Sequence, residues 1–168
     1  MSRRGLVLIL ILGAALIGGL AYLAATFNLS ALEEPTEFEV YLATQAKQWL
    51  VGRSAAREPL PPEPPNDALS VMNGFMQYGG SCASCHGQDG TTPTRLGLSM
   101  YPRVPGLGSP DVQHYSNRER FWIIKHGIRL TGMPGFGQIH SDEQIWHLVH
   151  YVRSLGTGNQ KSENGKQK

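Results

Sequence analysis

YGGSCASCHGQDG, residues 78–90, contains both cysteines of a 168-residue chain. Cys82 and Cys85 are separated by Ala83 and Ser84, and His86 follows at once. Four chemistries use closely spaced thiols. A disulfide across two intervening residues closes too small a loop to stabilise much. A thioredoxin-like redox pair calls for a βαβ surrounding, and no such pattern flanks the motif. A structural zinc site takes four ligands at spaced pairs, and there is no second cysteine pair. The fourth is covalent haem attachment: two thiols on a turning backbone form thioethers with the two vinyl groups, and the next residue places its imidazole over the iron.

The compartment fits the fourth reading. Residues 5–27 are 23 uncharged, mostly apolar positions, and a helix of that length crosses a hydrocarbon core of roughly 30 Å. Arg3 and Arg4 precede it and no Lys or Arg follows until Lys47. The positive-inside rule then keeps the N-terminus in the cytoplasm and exports the rest. The stretch is longer than a usual signal-peptide core and lacks a good cleavage site, so residues 1–30 are expected to be an uncleaved anchor. Formal net charge is +2, which argues against a nucleic-acid partner.

Past the anchor, Pro35 and Thr36 suit a helix start. Residues 31–56 are expected to form a stalk helix with an apolar stripe of Phe38, Leu42, Ala46 and Trp49. That stripe packs on the globular domain, lies on the membrane or grips a partner. Five prolines fall within residues 57–67, so 57–68 reads as an extended, semi-rigid spacer. The folded domain is expected over 69–156, and 157–168 as a polar disordered tail.

Within the domain three helices are predicted. The first begins near Ser70 as cap and stops at Gly79-Gly80, with Val71, Phe75, Met76 and Tyr78 on its apolar side and Met72 and Met76 as core filler. The second opens with a capping box, Ser116 and Glu119, and ends at Gly127. The third opens with Ser141 and Gln144, stops at Gly156, and buries Ile145, Leu148, Val149, Val152 and Leu155. Residues 88–115 form a long loop without β pattern, which makes sense in a small domain if the loop wraps something large.

A haem iron bound at His86 needs a sixth ligand or an open position. Met100, Met133, His114, His126, His140, His147 and His150 are the candidates. His147 and His150 lie near the core face of the last helix, and His126 at a helix end, so they read as surface or packing residues. Met133 stands in RLTGMPGFG between Gly132 and Pro134, a stiff loop that can hold a soft thioether. A thioether opposite a histidine raises the reduction potential.

On these residues the chain resembles the class I cytochrome c family over about 69–156. The family's glycine eight residues and aromatic four residues before the first cysteine match Gly74 and Tyr78. Its C-terminal aliphatic and aromatic pair, three apart, matches Leu148 and Tyr151. The resemblance implies an all-α class I cytochrome c fold, three or more helices with long loops wrapped around one haem c. It also implies that the Pro105 carbonyl accepts a hydrogen bond from the ligating histidine. The chain lacks the lysine-rich face of simpler members. Its domain bases are mainly Arg95, Arg103, Arg118, Arg120, Arg129 and Arg153.

The expected protein is a membrane-anchored monohaem c-type cytochrome of the bacterial inner membrane, with its haem domain in the periplasm. It carries single electrons between redox proteins such as a quinol-oxidising complex, a dehydrogenase or a terminal oxidase, with no small-molecule substrate and no enzymatic chemistry of its own. The binding residues are Cys82, Cys85, His86, Met133 and Pro105, with His86 and Met133 on the metal. The alternatives are a fixed subunit of a respiratory or dehydrogenase complex, and a haem enzyme or gas sensor with an open iron position.

Overall fold

The computed structural model of the protein describes residues 2–26, 28 and 30–165, with backbone alone beyond Gly156. The described residues form helices and no strand. The chain divides into two units, Met1–Glu33 and Glu34–Lys168.

The first unit is helix α1, Arg3–Thr26, which buries none of its side chains. It is long and apolar enough to cross a membrane, a description that also fits a signal sequence near an N-terminus. Phe27, the last residue of the apolar stretch, lies outside the described residues.

The second unit begins with α2, Glu37–Arg57. Thr36 caps it, accepting from Glu39 N–H, while the Glu39 carboxylate accepts from Thr36 N–H at 2.7 Å. This capping box satisfies two donors that an open helix start would leave bare. α2 begins six residues later than the predicted stalk and packs on α7, Asn117–His126. Its buried residues are Val51 and Ala55. The predicted stripe lies on another face: Phe38, Leu42 and Trp49 are exposed. Arg118 of α7 donates to the carbonyls of Ala55 (2.7 Å) and Glu58 (2.9 Å). A guanidinium there satisfies carbonyls that a helix end leaves without intrahelical partners.

The proline-rich segment is extended, as its composition requires, but it is no spacer. It lies along the domain as a strap. Trp146 Nε1–H donates to the Pro61 carbonyl (3.3 Å), Asn117 Nδ2 donates to Glu63 (3.0 Å), and His150 Nε2 meets the same carboxylate at 3.0 Å. Leu60 packs on the core. The predicted separation of stalk, spacer and domain is therefore corrected: α2 and the strap are built into the folded unit.

Helix α3, Ala68–Ser81, is capped by Asp67, whose carboxylate accepts from Ser70 N–H at 2.8 Å. Ser70 is not the cap, and the helix runs through Gly79 and Gly80. Met72 and Met76 are exposed, not core filler. α3 crosses α8, Asp142–Gly165, at Gly74. A Cβ on Gly74 would overlap the His147 carbonyl and sit 2.8 Å from Tyr151 Cβ. Only a bare Cα lets the two backbones come so close. Around the crossing Tyr151 packs against Tyr78 (ring centroids 5.0 Å) and Phe75 (5.5 Å).

α8 supplies half of the buried core cluster. Ile145, Trp146, Leu148 and Val149 are fully buried, and Phe121 of α7 lies 4.6 Å from the Trp146 ring. Each such side chain contributes about 1.5–3 kcal/mol by leaving water. The α8 backbone continues through Gly156 to Gly165, so Gly156 does not end it and the backbone of 157–165 is helical where a disordered tail was expected.

His147 and His150 are more than packing histidines. Ser70 Oγ lies 2.7 Å from His147 Nδ1 and 2.6 Å from His150 Nδ1. Ser70 Oγ thus bridges the two imidazoles, and His150 Nε2–H donates to Glu63. Strap, α3 and α8 are joined through this one chain.

Candidate functional site

The two cysteines sit at a junction between helices. Helix α4, Ala83–His86, is a single turn that follows α3 directly. Cys82 N–H still donates to Tyr78 O (2.8 Å), while Cys82 O already accepts from Cys85 N–H (3.1 Å) and His86 N–H (3.0 Å). The turn ends at Gly87, whose φ of 83° lies in the region that side chains avoid. The Tyr78 hydroxyl donates to the Gly87 carbonyl at 2.6 Å. Thr94 holds the turn from the other side, bonding the carbonyls of Ser84 (2.8 Å, side chain) and Cys85 (3.0 Å, backbone). The sequence reading missed Thr94. Its only signal was a hydroxyl followed by a short helix, α5, Arg95–Leu98, which it also caps.

Both thiols are free and half-buried. Burial first, and the neighbouring Cys85 second, push the Cys82 thiol up to about 11. His86 Nδ1 lies 3.1 Å from the Pro105 carbonyl. A carbonyl only accepts, so Nδ1 carries the proton and Nε2 keeps its lone pair. Burial lowers the His86 pKa and the bond to Pro105 opposes this in part, so the ring is neutral at pH 7.

Pro105 belongs to the loop of residues 88–115, which is not structureless. It contains α5 and α6, Pro110–Gln113. Its ends are tied by Leu107 N–H to Gly90 O (2.7 Å) and by the carboxylate of Asp89, which accepts from the N–H and hydroxyl of Thr91 and Thr92 at 2.8–2.9 Å. These four bonds hold the Asp89 carboxyl well below the usual carboxylate range.

Met133 lies on the loop after α7. Phe136 N–H donates to Ile124 O (3.0 Å), Gly137 N–H to Lys125 O (2.9 Å) and Ile128 N–H to Met133 O (3.2 Å). Gly127, at φ 69°, packs so closely that a Cβ would stand 2.5 Å from the Pro134 carbonyl carbon and 2.6 Å from Met133 O. Met133 and Cys82 are both half-buried against the same core cluster. Met100 reaches the loop too: its sulfur would lie 2.5 Å from a Cβ on Gly132.

Four of the arginines have partners within the chain. Arg103 pairs with Glu34, Arg118 holds the end of α2, Arg153 donates to Asn117, and buried Arg120 donates to the Gln113 carbonyl. Among the described residues Arg95 and Arg129 form no ion pair or side-chain hydrogen bond. No three His, Cys, Asp or Glu side chains among the described residues cluster as a metal site.

These residues fit haem. Two free thiols and an imidazole with a free Nε2 share one fixed turn, and a thioether loop packs against the same core. Leu96, Leu98, Tyr101 and Leu130 leave large apolar side chains exposed on the two loops that carry Pro105 and Met133. A flat apolar macrocycle needs such walls.

Residues 70–152, about half of the chain, match the family described as cytochrome c oxidase, cbb3-type, subunit III. Among solved structures, a reducing HAO-like protein complex of Kuenenia stuttgartiensis is similar, with a TM-score of 0.51 and 23% identity over 59% of this chain and 51% of that one. At that identity the likeness concerns the fold, and this chain spans about half the length of that protein. No curated protein matches the chain. The all-α domain with its cysteine pair, histidine and glycine-pinned helix crossing belongs to the class I c-type cytochromes. It is an electron-transfer haem domain.

Proposed function

We propose that the protein is a membrane-anchored monohaem c-type cytochrome of the bacterial inner membrane, passing single electrons between protein partners on the periplasmic face. Cys82 and Cys85 supply the two thioether links. His86, through Nε2, and Met133, through its sulfur, would hold the haem iron. Pro105 fixes the imidazole plane and the tautomer. Haem bound there supplies one-electron Fe(III)/Fe(II) chemistry at a potential raised by the thioether. The observation that carries this reading is the 3.1 Å contact between His86 Nδ1 and Pro105 O on the turn that bears both thiols. α1, which opens with Arg3 and Arg4, supports the anchor and its orientation.

A second reading, a fixed subunit of a respiratory or dehydrogenase complex, gains from the strap. A domain clamped to its own proline segment has lost the swinging spacer that a mobile carrier would use. α2 also keeps Phe38, Leu42 and Trp49 exposed, a face suited to a neighbouring subunit. Membranes from cells with intact c-type maturation separate the readings. After denaturing electrophoresis the chain should retain one haem per polypeptide, and Cys82→Ala with Cys85→Ala should release it. Loss of haem from the unmodified chain would contradict covalent attachment. Isolation in mild detergent then gives a lone chain for the mobile carrier and stoichiometric partners for the subunit.

A further inference from the structure

The strap also touches the α7 turn on which the Met133 loop hangs. Glu58, directly after α2, sends its carboxylate to the last two residues of α7. One oxygen lies 2.6 Å from His126 Nε2 and the other 3.6 Å from Lys125 Nζ. Lys125 in turn pairs with Asp142 at the start of α8 at 2.8 Å, and its ammonium lies 5.5 Å from the Phe121 ring. The Glu58 carbonyl accepts from Arg118, two turns back along α7. Glu58 thus braces the C-terminal turn of α7 from outside.

That turn holds the loop from inside. Ile124 and Lys125 offer the carbonyls that bond Phe136 and Gly137. Gly135 packs on the His126 carbonyl and Gly127 packs on Met133 and Pro134. A helix end frays when its outer contacts go, and here fraying would move the acceptors from which the loop is suspended.

We infer that Glu58 is a positioning residue for Met133: through Lys125 and His126 it holds the last turn of α7 and so keeps the methionine sulfur in place. This rests on the reading of Met133 as axial ligand. It makes the membrane-proximal extension part of the machinery that sets the iron's ligation, so a partner that grips α2 could act on the haem.

The test uses the full-length holoprotein and four variants: Glu58→Ala, Glu58→Gln, Glu63→Ala and Met133→Ala. Glu63 ties the strap to α8 and the start of α7 and bonds neither Lys125 nor His126, so it reports on strap attachment and global stability without the brace on the last turn of α7. Three signals are read: the far-red iron–sulfur band of the oxidised form, carbon monoxide binding by the reduced form, and the urea midpoint by far-ultraviolet circular dichroism. The loss of one hydrogen bond to a charged group changes an equilibrium by about tenfold, or about 1.4 kcal/mol. Glu58→Ala should therefore weaken the band and raise carbon monoxide binding about tenfold. Glu58→Gln, which still accepts from His126, should recover most of the band. Glu63→Ala should lower the urea midpoint without raising carbon monoxide binding. Wild-type band and carbon monoxide behaviour in Glu58→Ala would overturn the inference. So would equal effects from Glu63→Ala, which would mean that the strap acts through global stability. Should Glu58→Ala fail to accumulate, the same comparison is made with Glu58→Gln, which must then show a measurable loss of its own. A band that survives Met133→Ala would instead remove the premise, and the proposal with it.

Discussion

Two irregular segments face each other in importance: the strap of residues 57–67 and the loop of 127–137 that carries Met133. Both are built from residues that resist helix and strand. They are held in different ways. The Met133 loop hangs on backbone bonds to α7, the element just before it in sequence. The strap, rich in proline and so poor in backbone donors, is held by side chains whose partners lie 54 to 87 residues away. A segment held locally can be read from its own motif. One held by distant side chains looks like a spacer until the fold is seen.

The sharpest way to separate the two segments is Met133→Ala. It should abolish the far-red band and open the reduced iron to carbon monoxide, while leaving the strap bound. Next comes Gly127→Ala. It forces a side chain into positive φ and into the Pro134 backbone, at a cost on the order of 3 kcal/mol. Urea titration should show the loss, with the band failing before the helices melt. Glu63→Ala attacks the other segment. It leaves the fully buried His150 without its carboxylate, which costs roughly 1–3 kcal/mol. Limited proteolysis should then cut first within 57–67. If that segment is already the first site cut in the unmodified protein, the contrast between the two segments collapses.

The smallest effect is expected at Asp89, whose bonding partners are the neighbouring Thr91 and Thr92. Its folded pKa is depressed from an ordinary 3.8. A depressed carboxyl contributes stability that is present above the ordinary value and lost as pH falls toward the folded one. The gap in thermal midpoint between wild type and Asp89→Asn should therefore be full at neutral pH and shrink below about pH 4. A gap that widens in acid would contradict the sign.

How much was legible follows the same rule of locality. The boxes at Ser116–Glu119 and Ser141–Gln144 and the cap at Thr36 involve residues three apart, and they stand where the sequence put them. The helix crossing at Gly74 was legible through the family pattern of Gly74, Tyr78 and Tyr151. The pairing of His86 with Pro105, 19 residues on, came from the same pattern. Ser70 was misread as a cap because its partners, His147 and His150, are 77 and 80 residues away. The docking face of α2 was not legible because four apolar residues at helical spacing do not say which face docks. Val51 and Ala55, the residues that do, are too small to dominate the pattern. The helix stops at Gly79-Gly80 and Gly156 failed because glycine permits an ending without requiring one.

The proposal stands or falls on His86 and Met133, which would together hold the haem iron and leave no open position for a further ligand. An electronic spectrum of the haem-loaded protein tests it most directly, oxidised and reduced, with carbon monoxide added to the reduced form. The account predicts a low-spin c-type spectrum, a weak far-red band in the oxidised form and no response to carbon monoxide. A high-spin spectrum, or ready carbon monoxide binding by the unmodified protein, would contradict it and bring the open-iron reading forward.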